Sequence, residues 1–169
     1  SDTVTRFFPL SANASPLTFA VDNLSGGIAF DGANIWLAAG NEVTKLRASD
    51  GSNLGTFSVP GGANELAFDG TRIWASGSNV VTRLLASDGS NLGTVPVGQF
   101  PRGMAFDGAN MWVANESSGS VTIVRSSDGS VVDTVPMPLS AVGARPVSLA
   151  FDGANMWATD LTAAAVAKL

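Results

Sequence analysis

The octapeptide AFDGANMW occupies residues 105–112 and returns unchanged at residues 150–157. Residues 29–36 read AFDGANIW and residues 67–74 read AFDGTRIW, so four copies of one stretch recur along the chain. The phenylalanines of these copies are 38, 38 and 45 residues apart, and a tryptophan follows each of them by six residues. Self-similarity at a period of about 40 residues is typical of repeat architectures and indicates a scaffold of four related units.

Further blocks follow the octapeptide and divide the repeat into four short apolar segments, A to D. Segment A leads into Phe-Asp-Gly, segment B carries the tryptophan, segment C contains Val-Thr in three repeats, and segment D follows Ser-Asp-Gly. Asp-Gly between apolar runs is a hairpin signal, because glycine adopts positive φ without steric cost and aspartate tolerates it. The pattern predicts four antiparallel strands per repeat, joined A–B and C–D by Asp-Gly turns.

The segments define repeat boundaries within a single domain that covers residues 1–169. The repeats span approximately residues 27–60, 65–98, 103–137 and 148–169. The last repeat contains only segments A to C. Residues 1–26 align with segments C and D, since VTR at residues 4–6 matches VTK at residues 43–45. We therefore expect residues 1–26 to complete the last repeat, with one copy of segment C in excess.

Four-stranded units of this length, with the last one completed by the N-terminus, predict an all-β fold. The predicted fold is a β-propeller with four blades per chain. Closing the ring of blades would hide the sheet edges that an open array exposes. Two closures stay open: a closed four-bladed monomer, or a homodimer in which each chain is half of an eight-bladed ring. Helices are not expected, because no segment keeps a 3.6-residue apolar period.

The FDGANxW and VTxLxASDG blocks resemble the bacterial propeller repeats called YVTN or NHL-like, which include the virginiamycin B lyase-like propellers. The resemblance covers nearly the whole chain and implies the propeller fold, although propellers of this family usually have six to eight blades. It also favours a secreted or periplasmic location. Lyases of the family are understood to use a histidine and a bound metal. This sequence contains no histidine, so the resemblance does not extend to that activity.

Composition excludes several classes of function. The chain has no cysteine and no histidine, which removes disulfides, thiolate metal sites and the commonest general base. Its net charge is −5, and its nine basic residues are scattered, which argues against nucleic acid as a partner. No apolar run approaches the ~20 residues that span a bilayer, so no membrane partner is expected.

Two repeated sets of side chains invite a functional interpretation. The tryptophans are Trp36, Trp74, Trp112 and Trp157, and the aspartates of the A–B turns are Asp31, Asp69, Asp107 and Asp152. Aligned tryptophans suit a sugar platform, but one register position per repeat favours packing between blades. A ring of aspartates suits a divalent cation, but aspartate in a hairpin turn usually caps its own backbone. We expect no cofactor, with a divalent cation as the alternative.

Function on a propeller usually resides where the repeats differ, on the face built from the D–A and B–C loops. There, Arg102 and Glu116 belong to one repeat, and Arg145 and Asp160 belong to the next. With Glu65, these four residues form the predicted ligand-binding set, a polar pocket for a small anionic or hydroxylated ligand; no catalytic or metal-ligating residue is predicted. The alternative interpretation is solvated loop charge with weak surface ion pairs.

The sequence favours a non-enzymatic scaffold or binding module for a protein, glycan or small ligand. Phe100 and Leu139, apolar residues at loop tips, would mark a contact surface. One alternative is a hydrolase or lyase that uses carboxylates or a divalent cation at the central axis. Another is a propeller fragment whose main property is self-assembly, because ASDGSNLGT occurs at both residues 48–56 and 86–94.

Overall fold

Strands supply all the regular secondary structure of the described residues. The computed structural model describes residues 2–6, 17–24, 26–138 and 143–169, and this part of the chain contains seventeen strands and no helix. It therefore offers no helix able to cross a membrane. The predicted all-β class is confirmed.

The strands form five antiparallel sheets that follow one another along the chain. The N-terminal hairpin consists of β1 (Asp2–Arg6) and β2 (Leu17–Val21). Blade 1 consists of β3 (Ile28–Phe30), β4 (Asn34–Ala39), β5 (Glu42–Arg47) and β6 (Asn53–Ser58). Blade 2 consists of β7 (Leu66–Phe68), β8 (Arg72–Ser76), β9 (Val80–Leu85) and β10 (Asn91–Pro96). Blade 3 consists of β11 (Pro101–Phe106), β12 (Asn110–Asn115), β13 (Ser120–Arg125) and β14 (Val131–Pro136). Blade 4 consists of β15 (Pro146–Phe151), β16 (Met156–Asp160) and β17 (Ala165–Lys168).

The Asp-Gly turns join strands A and B as predicted, and each turn is held by its own aspartate. In blade 1, Asp31 Oδ1 accepts backbone N–H groups from Ala33 at 2.9 Å and from Asn34 at 2.7 Å. Gly32 has a φ of 99°, which only glycine adopts without strain. The other oxygen of Asp31 accepts the indole N–H of Trp36 at 2.8 Å. The same turn and indole bond recur in the other three blades.

The core lies between consecutive blades. Trp36 is fully buried and packs with Ile73 and Leu84 of blade 2. Lys45 lies over the Trp36 ring, and its Nζ donates to the carbonyl of Ala86 at 2.7 Å. Burying a tryptophan against the next blade removes a large apolar surface from water. The predicted packing between blades is seen for Trp36, Trp74 and Trp112, whereas Trp157 at the end of the stack is 38% exposed.

The interfaces between later blades follow the same plan. Trp74 is fully buried in a cluster with Met111 and Val113 of blade 3. Trp112 is partly buried against a cluster that contains Val121 of blade 3 and Ala158 of blade 4. The stack of blades is therefore built from one interface used three times.

The two ends of the stack are not joined. The N-terminal hairpin forms its own sheet and packs on blade 1, where Val4 and Phe19 contact the cluster that contains Leu37 and Leu46. Blade 4 is a three-stranded sheet, and among the described residues β1 and β2 pair only with each other. Completion of the last repeat by residues 1–26 is not present in this arrangement and stays a prediction.

Candidate ligand-binding face

The loops between D and A strands and those between B and C strands meet at one end of the blades, which we call the loop face. Backbone hydrogen bonds tie the two kinds of loop together. The N–H of Glu116 donates to the carbonyl of Phe100 at 3.0 Å, and the N–H of Ala63 donates to that of Gly40 at 2.7 Å. Consecutive A strands, such as β7 and β11, are in contact, so the loop faces of neighbouring blades are adjacent. Side chains from different repeats can therefore act together here.

Glu116 is the centre of the charged residues on the loop face. Its side chain is 7% exposed, whereas the side chains of Arg102 and Arg145 are 60% and 55% exposed. Arg102 Nε donates to Glu116 Oε2 at 2.6 Å, and an N–H of the Arg145 guanidinium donates to Glu116 Oε1. One buried carboxylate thus holds two exposed guanidinium groups, one from the start of blade 3 and one from the start of blade 4.

The arginines also fix the ionisation of this carboxylate. The hydrogen bond from Arg145 is the main cause that holds the pKa of Glu116 below its usual range; burial opposes it and Arg102 adds to it. Glu116 is therefore ionised at neutral pH, and it acts as an anchor for the arginines rather than as a proton donor.

Glu65 is shifted in the opposite direction. Burial raises the pKa of Glu65, and the positive charge of Arg102 only partly offsets this effect. Glu65 and Arg102 line a cavity of about 260 Å³ together with Asn64, Phe100 and Pro101. The cavity joins the loop before blade 2 to the loop before blade 3, and Arg102 is the member of the arginine pair that lines it.

Phe100 stands out in this cavity because of its backbone. Its φ is 52°, in the left-handed region that disfavours residues with a side chain, and the residue is 58% exposed. Hydrogen bonds hold it there: its N–H donates to the carbonyl of Ser78 at 2.8 Å, and its own carbonyl accepts from Glu116. Gly62, with a φ of 91°, occupies the same place one repeat earlier. A strained, exposed aromatic residue beside an exposed arginine is the kind of feature that occurs at binding sites.

Asp160 serves the local backbone instead of the pocket. Its Oδ1 accepts N–H groups from Arg145 at 3.1 Å and from Thr162 at 2.8 Å. Burial alone would raise the pKa of Asp160, but these backbone hydrogen bonds outweigh it and lower the pKa. Asp160 is only 2% exposed. Its hydrogen bond to the backbone of Arg145 fixes the loop that precedes blade 4.

The structure brings together most of the predicted set and changes one pairing. Sequence order places Arg145 beside Asp160 of its own repeat, but the Arg145 side chain pairs with Glu116 of the preceding repeat. The D–A loop enters a blade next to the preceding blade, so contacts between repeats compete with contacts within one. Phe100, which the sequence marked as an exposed loop tip, also lines the cavity, and Gly62 occupies its position in the preceding repeat. Leu139 lies outside the described residues.

The aspartates of the A–B turns are occupied by their own turns and by the tryptophans. In Asp69, Oδ1 accepts the N–H groups of Thr71 and Arg72, and Oδ2 accepts the Trp74 indole. No group of three or more aspartates and glutamates that would hold a metal ion occurs among the described residues. A cation at this end would have to compete with these donors for every carboxylate oxygen.

Known structures of low sequence identity share this arrangement of sheets. Virginiamycin B lyase from Staphylococcus aureus, a catalytically inactive form with quinupristin, matches with a TM-score of 0.76 at 17% identity, over 98% of this chain and 62% of that chain. The RRP9 WD40 repeats match with a TM-score of 0.67 at 15% identity, over 89% of this chain and 52% of that chain. BamB from Moraxella catarrhalis matches with a TM-score of 0.66 at 13% identity, over 86% and 42%.

The fold is that of a β-propeller. The predicted fold class and its four-stranded blades are confirmed, and the propeller is unclosed in this structure. The chain spans less than two-thirds of the length of each propeller compared above. No protein-family model and no curated protein matches it. The likeness establishes the propeller fold, and function has to be argued from the loop face.

Proposed function

We propose that this propeller is a binding module whose loop face holds ligands that present a carboxylate or similar anionic group next to an apolar group. The observation that carries this proposal is the pair of exposed guanidiniums fixed by one buried glutamate. Assignment to the YVTN or NHL-like repeats is a further proposal, supported by the FDGANxW blocks.

The arginine pair is prearranged for an anion. A guanidinium has five N–H donors in a planar fork, and Glu116 engages Nε of Arg102 and one terminal nitrogen of Arg145. The remaining donors lie on side chains that are more than half exposed. Because Glu116 already restricts both side chains, an incoming carboxylate costs less rotamer entropy than it would at two free arginines.

The local charge favours the same class of ligand. The two guanidiniums present their positive charge to solvent, whereas Glu116 and Asp160, the ionised carboxylates that balance this charge, are buried. Glu65 lies beside Arg102 and also opposes an anion, and its raised pKa weakens that opposition as the pH falls. Phe100 and Pro101 supply the apolar wall of the cavity. The site therefore suits an aromatic or aliphatic group that carries a carboxylate.

A matched pair of probes tests the proposal. N-acetyl-phenylalaninate carries a ring and a carboxylate, and N-acetyl-phenylalaninamide differs by lacking the charge. In an NMR titration we expect the carboxylate to bind more tightly than the amide, with shifts centred on Phe100 and Arg102. Replacing Arg145 by glutamine should weaken binding of the carboxylate by about 10- to 100-fold, because a charge-assisted hydrogen bond contributes ~1.5–3 kcal/mol.

Two controls make this result specific. Arg125→Gln removes an exposed arginine from the C–D turn of blade 3, at the other end of the blade, and should leave binding unchanged. Glu65→Gln removes the opposing charge and should tighten binding of the carboxylate. Equal affinity for the two probes, or equal losses for the Arg145 and Arg125 variants, would refute the proposal.

A carboxylate-dependent hydrolase or lyase is the second candidate function. Glu65 supports it, because it lines the cavity beside Arg102 and burial raises its pKa, as suits a general acid. Glu65→Gln distinguishes the two functions: it would abolish turnover of a bound ester or glycoside in an enzyme, and it would strengthen binding in the binding module.

A further inference from the structure

At the interface between two blades, a tryptophan of one blade is buried in an apolar pocket of the next blade, which we call its socket. At the interface of blades 1 and 2, Trp36 of strand β4 is buried in one cluster with Leu66, Ile73, Leu84 and Ala86 of blade 2. These four residues come from strands A, B and C of the receiving blade and from the turn after strand C. The socket and its tryptophan therefore belong to consecutive blades.

Blade 1 carries the same socket on its opposite side. Residues 38 positions earlier in the repeat are Ile28, Ile35, Leu46 and Ala48, and they line a cavity of about 310 Å³ beside the N-terminal hairpin. No tryptophan lines this cavity among the described residues, because the hairpin contributes no B strand. Ile28 is 54% exposed, whereas its equivalent Leu66 is 8% exposed. We call these four residues the N-terminal socket.

The opposite end of the stack carries a tryptophan without a socket. Trp157 of β16 is 38% exposed, whereas Trp36 and Trp74 at the same register position are fully buried. Val166 of β17 is 57% exposed, and its equivalent Val43 is fully buried. The two ends are thus the two complementary halves of the interface that the chain uses three times internally.

The N-terminal hairpin already sits where the outer half of a preceding blade would lie. Arg6 donates to the carbonyl of Ser49 at 2.6 Å, as Lys45 of blade 1 donates to that of Ser87 at 3.2 Å. The hydroxyl groups of Thr5 and Thr18 are 3.2 Å apart, which reproduces a C–D threonine pair found in blades 1 and 3. The hairpin is therefore a C–D pair that lacks its A and B strands.

Blade 4 supplies those strands. It has A and B strands, β15 and β16, and its C strand β17 carries Ala167 where the other C strands carry threonine. Ala167 has no hydroxyl for a C–D threonine pair. As the C strand next to β16, β1 with its Thr5 therefore matches the repeat pattern better than β17 does.

We infer that Trp157 of one copy of this chain inserts into the N-terminal socket of a second copy. Strands β15 and β16 of the first copy and β1 and β2 of the second then form one four-stranded blade, and β17 yields its place beside β16. The contact between the two copies would use the same kinds of residues as the interface between consecutive blades of one chain. Two such contacts close a ring of eight blades, within the four to eight that are usual for propellers.

Light scattering on a sizing column tests the inference. We expect a mass near twice 17.2 kDa, about 34 kDa, at high protein concentration. Trp157→Ala removes the inserted group and Ile28→Glu puts a charge into the socket, so each variant alone should have a mass of 17.2 kDa. Both residues are exposed in the single chain, so neither change should unfold it. An equimolar mixture of the two variants should associate, at a higher concentration than the parent chain, because one intact tryptophan meets one intact socket while the second contact is disrupted.

The controls separate this contact from others. Phe100→Ala removes an exposed aromatic residue of the loop face and should leave the mass of the dimer unchanged. Val166→Glu should also leave it unchanged if β17 yields its place, whereas a β17 packed like β5 would bury the new charge and dissociate the dimer. A mass of 17.2 kDa for the parent chain at every concentration would overturn the inference, as would a dimer that persists in Trp157→Ala or a mixture that associates no more than either variant alone.

Discussion

Replacing Trp74 by alanine empties the interface between blades 2 and 3. The Trp74 side chain is fully buried with Val81, Val113 and Val124, and its indole N–H donates to Asp69 at 2.8 Å. Trp157 occupies the equivalent position in blade 4 and donates to Asp152 at 2.7 Å, but it has no following blade over it. The two positions therefore share a turn and a hydrogen bond and differ in the packing between blades.

The expected losses follow from that difference. A buried Trp→Ala change costs ~3–5 kcal/mol of unfolding free energy, and loss of the bond to Asp69 adds ~1 kcal/mol. Asp69 keeps its backbone donors and the hydroxyl of Ser126, so it is not left unpaired. At Trp157 the space opens to solvent and no cavity forms, so we expect a loss of ~1–2 kcal/mol. The difference, ~3 kcal/mol, measures the packing between blades.

Urea unfolding followed by circular dichroism gives both values. Each substitution is made in the Ile28→Glu background, which keeps the chain from associating through the N-terminal socket. The m-values should agree between variants, since the same surface is exposed on unfolding. If Trp74→Ala destabilised the chain by no more than Trp157→Ala, packing of tryptophan between blades would not hold the stack together.

Three other substitutions test the site and the turns. Glu116→Gln should lower the unfolding free energy by ~1–3 kcal/mol at neutral pH, because a buried carboxylate loses its charge between two arginines. The folded pKa of Glu116 lies below 4.5, so the stabilisation by its charge is complete above that pH and is lost as the pH falls through the folded pKa. The urea midpoints of the parent chain and of Glu116→Gln should therefore converge as the solution is acidified. A gap that stays constant below pH 4.5 would contradict the ion pairs. Gly89→Ala places a Cβ against the Phe57 ring at a φ of 78°, whereas Gly70→Ala has a φ of 92° and open space. Both should cost ~1–2 kcal/mol of backbone strain, and the first should cost more in a thermal melt; equal losses would mean that Phe57 moves aside.

The sequence predicted the repeat because its signals are local. The Asp-Gly pairs define turns within a few residues, and alternation between short apolar runs defines the strands. The link from Asp31 to Trp36 was missed, although the fixed spacing of five residues in all four copies was a signal for it. The open ends were not predictable, because β1 and β17 are similar C strands. Which of them pairs with β16 depends on a difference in free energy between the two pairings that the sequence pattern does not contain.

The candidate site was predicted only as a set of residues. Placing Arg102 and Glu116 on one face required only the order of strands. Pairing of Arg145 with Glu116 required the distance between neighbouring blades, which the pattern of one repeat does not contain. The left-handed backbone of Phe100 was likewise hidden, because a sequence shows a phenylalanine in place of a glycine but not its φ.

The bond between each turn aspartate and its tryptophan spans only five residues, which has a consequence for the order of folding. Strands A and B of a blade can form a hairpin with its turn capped and its indole satisfied before any other blade exists. Such local contacts form early, while stacking of blades requires chain closure over about 40 residues. The tryptophan is then presented to the next hairpin already oriented, so we expect assembly to proceed as the joining of prefolded hairpins.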